Sequence, residues 1–594
     1  MKRAVHPLKK PFPFHPFLFT LHPIFFLYAH NIYRTVLSAI YVPLAVSLGA
    51  VFAVLCIAVA AARSMAKGGI ITAQLVFFFF NYGIIVKLFT ETPCYTVFNA
   101  AYSFRLEAGP VILGANKLFL AFGVMLITLA LFLFIIKRKM VLPVWYAGVF
   151  FAVFGTGGFV FDRLLRELKP EHSFVTSLLS ALFCTAVIAV IKSKLTFCNV
   201  TRFLNVASAL LAGIVVFQIT SYFVTQRVPP VKRSADDFVQ NPNAVSPLPD
   251  VYYIILDAYG GNDVLQDYFN FSNSGLTGYF SRTGFYLADK SRSNYAFTSL
   301  SLTSSLNMSY VDEIAKDVDK KADGPAPIIN TLRYNKAVRM FKEHSYTYVG
   351  ISSNYEINDM CSADIHFTPP KRIYFYQLEL VRSTFLGSLL ALFDIHMPDL
   401  IDEIRRKSIL HAFEVLKTLP ESDSPQFVFA HILCPHSPFV FHKDGAKACY
   451  QGIAVTIEER EKQNQSRDVV VKAYTDQIQY LNTILMDALD TIIARSETPP
   501  VIIVQGDHGP QTMIDWNNLE RSNVLERHSI LNAYYVPDDV KEMLYPSISP
   551  VNSFRVLFNY LFDARFELLP DRSYFSPWFA PFQFTDVTER VKAE

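Results

Sequence analysis

Two patterns divide the chain. Up to about residue 225, long apolar runs are separated by short polar turns; from Pro229 onward, short apolar runs alternate with charged and polar segments. A helix needs roughly 20 apolar residues to cross a bilayer, and runs of that kind lie near 36–62, 69–90, 115–136, 142–162, 173–192 and 203–224. Phe17 to Tyr33 is apolar as well but carries His22, Pro23 and His30, a composition that suits a span, a re-entrant segment or an interfacial helix. Basic residues favour the cytoplasmic ends of spans. With seven spans and a cytoplasmic N-terminus, the Arg63/Lys67 turn, the Lys137-Arg138-Lys139 turn and the Lys192/Lys194 loop all face the cytoplasm, and the second half lies on the opposite side. Six spans would turn the Lys137-Arg138-Lys139 cluster outward, so seven is the better reading.

In the second half, Val251–Leu256, Tyr346–Ile351, Gln426–Ile432, Val501–Val504 and Ile530–Tyr535 have the length and composition of strands. Helical patterns lie between them. The clearest covers about Val469 to Ala494, with apolar residues three or four apart at Ile478, Leu481, Ile484, Leu485 and Leu489. Strands alternating with helices predict an α/β domain with a mixed, mostly parallel sheet flanked by helices. The chain therefore reads as an N-terminal polytopic α-helical membrane domain over 1–225, a Pro-rich connector over 226–249 and an α/β domain over 250–594.

Composition supports the division. Of 594 residues 52% are hydrophobic and only 18% charged, which is too apolar for an ordinary soluble chain. A net charge of +3, without a Lys/Arg stripe interleaved with aromatics, argues against a nucleic-acid partner. Lys2, Arg3, Lys9 and Lys10 precede the first apolar stretch with no small-residue cleavage site after it, the pattern of a retained anchor. Of the seven cysteines, Cys94, Cys361, Cys434 and Cys449 fall on the non-cytoplasmic side. One disulfide among Cys361, Cys434 and Cys449 and free buried thiols are both open readings.

Chemistry concentrates at strand ends. Gly506-Asp507-His508-Gly509 directly follows the run Val501–Val504, and Asp257 directly follows Val251–Leu256. In open α/β sheets ligands bind beyond the carboxyl ends of strands, so the two acids and the imidazole are candidate ligands of one metal ion. Thr298 stands where Ser293-Asn294-Tyr295-Ala296-Phe297 gives way to a helical pattern. A hydroxyl there gains from the free N–H groups and positive end of the helix, and a metal would activate it further as a nucleophile. Singly, each residue also has an ordinary role: a Thr before an apolar run as a helix cap, an Asp after a strand as a turn residue. His431 lies inside the Gln426–Ile432 run and reads as a core histidine or a site residue. His436, just past it, is the better candidate to meet a phosphoryl group. Arg527 and His528 precede the last run, and Lys290 and Arg292 precede the Thr298 segment; site and surface roles stand side by side for all four.

With Asp257, Asn294 to Thr298, His436 and Gly506 to Gly509 in this order, residues 250–560 resemble the sulfatase-like branch of the alkaline phosphatase superfamily. In layout the chain is similar to the membrane-anchored lipoteichoic acid synthases and phosphoethanolamine transferases. The resemblance implies that Asp257, Thr298, Asp507 and His508 bind one zinc or manganese ion, that Thr298 forms a covalent intermediate, and that His436 contacts the phosphate. Asn294, His431 and Arg527 are further candidates for the substrate side. The implied reaction moves a phosphoryl-linked substituent from a phospholipid donor to an envelope glycan or lipid acceptor, on the non-cytoplasmic side of the inner or plasma membrane. Asp257 stands where transferases of this branch commonly carry Glu, which keeps a phosphodiesterase or other hydrolase open beside a transferase. No Cys/Ser-x-Pro/Ser-x-Arg pattern begins at Cys361, Cys434 or Cys449, against an ordinary sulfatase, and no Asp-x-x-x-His offers a second metal set. A non-catalytic envelope assembly protein is the remaining alternative.

Overall fold

The computed structural model describes residues 11–32, 35–90, 184–225, 245, 247–316, 318, 326–352, 362–369, 374–392, 397–419, 424–448, 450 and 452–593. These form two compact units. The first contains the helices His15–His30, Tyr41–Ala62, Met65–Thr90 and Cys198–Thr225. A 3-10 turn, Leu37–Ile40, leads into Tyr41–Ala62, and left-handed Arg63 closes the turn to Met65–Thr90. Leu37–Ala62 and Cys198–Val224, with 26 and 27 residues, are long and apolar enough to cross a membrane. The described residues thus hold two such helices where seven spans are expected. The expected spans 115–136 and 142–162 lie outside the described residues, 173–192 is described only from Cys184, and the apolar part of Met65–Thr90 is the shorter Met65–Asn81. The doubtful segment 17–33 is helical over His15–His30, at 16 residues short for a span. Nδ1 of its buried His15 donates to Asn205 Oδ1 across 2.8 Å, and Asn205 Nδ2 donates to the Phe12 carbonyl at 2.9 Å.

The second unit is built on a seven-stranded sheet. Its strands are β1 (Val251–Leu256), β2 (Tyr286–Leu287), β3 (Thr347–Ile351), β4 (Ile365–Phe367), β5 (Gln426–Ile432), β6 (Val501–Gln505) and β7 (Asn532–Tyr535). The order is β2-β7-β6-β1-β5-β3-β4. β6, β1, β5, β3 and β4 run parallel, and β7 is antiparallel to its neighbours β6 and β2. β1, β5 and β6 are buried at every position, as parallel strands covered on both faces must be, and this explains why they are apolar apart from Gln426, His431 and Gln505. On one face Tyr252, Ile254 and Leu256 share a core with Ile478, Leu481, Leu485 and Leu489 of the helix Arg467–Arg495. On the other, Tyr253 meets Phe554 of the helix Pro550–Phe562, and Phe341 stacks on Phe427 with ring centroids 4.1 Å apart.

Sequence and structure agree on the mostly parallel sheet and differ at its margins. The last strand begins at Asn532 rather than Ile530, because Ser529 and Ile530 form isolated bridges to Arg292 and Gly260. The two-residue strand β2, the exposed β4 and a small hairpin of β8 (Tyr574–Phe575) with β9 (Thr585–Asp586) carry no periodic signal that a sequence reading could use. Cys434 is a buried free thiol, which settles its part of the disulfide question.

One stretch inside the second unit's sequence has no counterpart in the sequence reading. Tyr374–His396 belongs to the first unit. Its two short helices, Phe375–Ser383 and Phe385–Leu392, join the core of the N-terminal helices through buried Tyr376 and Leu380.

Candidate active site

The strand order does what the sequence could only suggest. β6 and β5 flank β1 in parallel, with Ile255 opposite both His431 and Gln505. The residues that follow or end these three strands, Asp257, His431 and Asp507-His508, therefore emerge at one carboxyl edge. Asp257 Oδ2 lies 3.3 Å from His431 Nε2, and Asp257 Oδ1 lies 3.8 Å from His508 Nε2. Asp507 Oδ2 is 3.3 Å from the same His508 nitrogen. All four side chains are buried.

The two glycines of the Gly506-Asp507-His508-Gly509 turn are demanded by close backbone approach. A β-carbon at Gly506 would stand 2.5 Å from the Tyr259 carbonyl oxygen, and one at Gly509 would stand 2.1 Å from that of Glu526. Ala258 takes a φ of 65°, a left-handed conformation that costs a β-carbon-bearing residue about 1 kcal/mol. Its N–H donates to Asp507 Oδ1 at 3.1 Å and its carbonyl accepts from the Tyr474 hydroxyl at 2.7 Å, so the strained residue joins the β1 and β6 turns.

Thr298 opens the helix Thr298–Asn307, and its hydroxyl caps nothing: the N-cap is Phe297, without a side-chain cap. The hydroxyl oxygen instead lies 3.0 Å from His508 Nε2. His508 Nδ1 faces the Gly509 carbonyl at 3.0 Å. A carbonyl only accepts, so Nδ1 carries the proton and Nε2 presents its lone pair to Thr298. Ser301, one turn into the helix, donates to the Asp507 carbonyl at 2.7 Å and fixes the helix against the turn.

Two carboxylate oxygens, Asp257 Oδ1 and Asp507 Oδ2, are buried without a hydrogen bond. Burial, then the neighbouring Asp257, raises the Asp507 carboxyl. Asp257 is also buried, but His436, His431 and His508 around it outweigh that penalty and hold it below the ordinary carboxylate range. Burial and the nearby Arg527 charge lower His508, keeping its imidazole neutral. Two close buried acids with orphaned oxygens, beside the imidazoles of His431 and His508, are a donor set that a divalent cation would complete. Ligand atoms of Asp257, His431 and Asp507 lie within 4.8 Å of one another, a spacing that one metal ion can bridge. Carboxylate and imidazole donors suit zinc or manganese.

His431 therefore stands at the acids rather than in an ordinary core position. The signal was absent from the sequence because it lies in the pairing of β5 beside β1, which no local pattern encodes. His436 is brought to the same place: its N–H donates to the Asp257 carbonyl at 2.9 Å, and its ring centroid lies 6.3 Å from that of His508. Its Nδ1 faces the Ser437 carbonyl at 2.6 Å, which leaves Nε2 as the acceptor end.

The other candidates brace the site. Arg527 is buried and donates through Nε to the Ala296 carbonyl and through Nη1 to the Gly509 carbonyl, both at 2.8 Å, so it joins the loop before Thr298 to the Gly506–Gly509 turn. Burial lowers it to about 10, still charged at neutral pH. Asn294 has its amide occupied: Nδ2 donates to Ser549 Oγ and the Arg572 carbonyl, and Oδ1 accepts from the Val551 N–H. Arg292 pairs with Asp263 at 2.6 Å, and buried His528 bonds through Nδ1 to Ser293.

No protein-family model matches the chain, and no curated protein does. Among solved structures the chain is similar to the lipooligosaccharide phosphoethanolamine transferase EptA from Neisseria meningitidis, an integral membrane protein, at 12% identity and a TM-score of 0.34, covering 83% of this chain and 95% of that one. It is similar to the C-terminal periplasmic domain of phosphoethanolamine transferase EptC from Campylobacter jejuni at 12% identity and 0.32, covering 52% and 89%. A phosphonate monoester hydrolase of Agrobacterium radiobacter follows at 14% identity and 0.34, covering 55% and 80%. All three TM-scores lie below 0.5, so the chemistry of the site rests on its own residues.

Proposed function

We propose that this chain is a membrane-anchored, metal-dependent transferase that moves a phosphoryl-linked substituent, of phosphoethanolamine or phosphoglycerol type, from a phospholipid to an envelope glycan or lipid. Thr298 is the nucleophile. One observation carries the reading: a hydroxyl at a helix N-terminus lies 3.0 Å from a neutral imidazole, beside two buried acids with orphaned oxygens. A Thr placed only to start a helix would cap it.

In the first half-reaction the Thr298 Oγ1–phosphorus bond forms and the bond from phosphorus to the lipid oxygen breaks; diacylglycerol leaves with a proton. In the second, an acceptor hydroxyl attacks the phospho-Thr298 and restores the free threonine. A zinc or manganese ion, held by Asp257, Asp507, His508 and His431 with Thr298, would polarise the phosphoryl group and lower the pKa of the hydroxyl. The Gly509 carbonyl fixes the His508 tautomer, so that the one lone pair at Nε2 is available to the ion beside Thr298 Oγ1. Backbone N–H groups at the start of Thr298–Asn307 favour the developing negative charge. His436 presents Nε2 to the transferred phosphoryl group or to the leaving oxygen. The basic turns of the N-terminal half support a catalytic unit on the non-cytoplasmic side, where donor headgroups are within reach of a tethered enzyme.

The test incubates the full chain in vesicles with headgroup-labelled phospholipid and an acceptor glycan, and follows the label by mass spectrometry. The expected result is a labelled Thr298 peptide that disappears as labelled acceptor accumulates. Free labelled headgroup with no acceptor adduct would make water the acceptor, the outcome that Asp257 in place of Glu keeps open. Undiminished turnover in Thr298→Ala would end the proposal.

A further inference from the structure

Tyr374–His396 leaves the sheet unit's sequence, joins the membrane helices and is followed by the sheet unit again at Met397. How deep it reaches can be worked out from its contacts. Tyr376 is buried and its hydroxyl donates to the Ile24 carbonyl at 2.7 Å; Gln377 Nε2 donates to the Ala39 carbonyl at 3.0 Å. Ala39 lies at the very start of the membrane-length helix Leu37–Ala62. Eight residues further on, Phe385 meets Phe78 with ring centroids 5.8 Å apart.

Phe78 lies far from that end. The helices Tyr41–Ala62 and Met65–Thr90 turn back on each other at Arg63, and a β-carbon on Gly68 would strike Val59. Continuing this antiparallel register puts Phe78 level with Gly49, ten residues from Ala39. At 1.5 Å per residue that is about 15 Å, well inside an apolar layer of about 30 Å.

The chemistry of the segment fits that depth. From Ser383 to Phe393 the sequence Ser-Thr-Phe-Leu-Gly-Ser-Leu-Leu-Ala-Leu-Phe holds no charge. The polar groups at the turn are satisfied within it: Ser383 Oγ donates to the Leu380 carbonyl at 2.9 Å and Thr384 Oγ1 to the Val381 carbonyl at 2.7 Å. The charged residues above it, Glu379 and Arg382, neutralise each other at 3.0 Å. Backbone away from water must meet these conditions. Gly387 permits the tight fold-back, since a β-carbon there would lie 2.8 Å from the Val381 carbonyl oxygen. Leu386 is left 37% exposed on an uncharged helix.

We infer that Phe375–Leu392 is a re-entrant hairpin of the catalytic chain, seated in the bilayer beside the N-terminal helices, with Leu386 against lipid acyl chains. The catalytic unit is then attached to the membrane through this hairpin as well as through the connector at 226–249. The inference rests on the membrane reading of Leu37–Ala62 and is independent of the proposed chemistry.

The photo-crosslinker p-benzoyl-phenylalanine, placed singly at Leu386, Phe52 or Leu568 of the full chain in radiolabelled phosphatidylcholine vesicles, tests it. All three positions are exposed; Phe52 lies on the membrane-length helix and Leu568 in the sheet unit. Lipid adducts at Leu386 should approach those at Phe52 and exceed those at Leu568 about tenfold, since acyl chains occupy only the apolar layer. Adducts at Phe52 but none at Leu386, or equal yields at Leu386 and Leu568, overturn the hairpin. Absence of adducts at Phe52 overturns the membrane reading beneath it.

Discussion

Thr298 and His431 are the residues whose substitution separates the roles assigned here. Thr298→Ala removes the nucleophile but none of the buried acids, so turnover should fall by about 1000-fold or more while bound metal is largely kept. Headgroup release and metal content, measured on the same preparation, check both halves. His431→Ala distinguishes a ligand from a core histidine. As a ligand its loss should weaken metal affinity by at least about tenfold, whereas a purely structural histidine would lower the melting temperature and leave metal content intact. The acid at the other end of β1 gives a pH dependence unconnected with catalysis. Asp250 accepts from the Gln426 N–H at 2.8 Å, and burial pushes its carboxyl up to about 6. Between an unfolded value of about 3.9 and this folded value the native state holds the extra proton, so the contribution of Asp250 to stability should fall as pH rises through that window and stay level above it. Asp250→Asn keeps the acceptor and removes the ionisation; its stability should fall less steeply than the parent's from pH 4 to 6.5 and exceed the parent's at neutral pH by about 1 kcal/mol, a figure discounted for partial solvent access. Thermal melts at pH 4.5 and 7.5 read the difference.

Elements that bury both faces were legible in the sequence, and elements that bury neither were not. β1 and β5 run from Val251 to Leu256 and from Gln426 to Ile432, as their mostly apolar runs predict, and Arg467–Arg495, capped by Ser466, extends the expected Val469–Ala494 helix at both ends. The inferred re-entrant hairpin carries no sequence signal, for a physical reason. Its apolar octet Phe385–Leu392 is much shorter than a span and follows a polar helix, so it reads like any core helix of a soluble domain. Asp257 and the Asp507-His508 pair were visible because glycines and apolar runs frame them. Arg527, whose task is to join two backbone loops, was not distinguishable from a substrate contact. Glycine positions make these element contacts testable. Gly509→Ala places a β-carbon against the Glu526 carbonyl, where backbone must yield. A loss of about 2–3 kcal/mol is expected, on the scale of overpacking in a tight core, together with a drop in metal affinity, because the same residue holds His508 Nδ1. Denaturation midpoints and metal titration of the variant should move together; a stable variant with normal metal binding would contradict the close approach.

On the scale of the whole molecule, the decisive fact is strand order. The sequence supplied acids and imidazoles on segments some 250 residues apart, and the β6-β1-β5 adjacency brings them to one edge. That convergence has an energetic consequence for the sheet unit. Two buried carboxylates with ligand atoms within 4.8 Å repel by up to about 4 kcal/mol at an effective dielectric of 20, unless one binds a proton or a cation lies between them. Cation binding should therefore stabilise the sheet unit, by about 2.7 kcal/mol at a metal concentration 100 times its dissociation constant. Chelation of the full chain is expected to lower one calorimetric transition by several degrees and leave the helical unit's transition in place, since none of the cluster's residues belongs to that unit. Asp507→Asn removes one of the two charges. In that variant chelation should shift the transition less, and the apo form should melt above the apo parent even though catalysis is lost. A mutant that is inactive yet more stable without metal is difficult to reach by general damage to the fold. If the chelated variant melts lower than the chelated parent, the carboxylates are not in repulsive contact, and Asp257 and Asp507 do not share an ion.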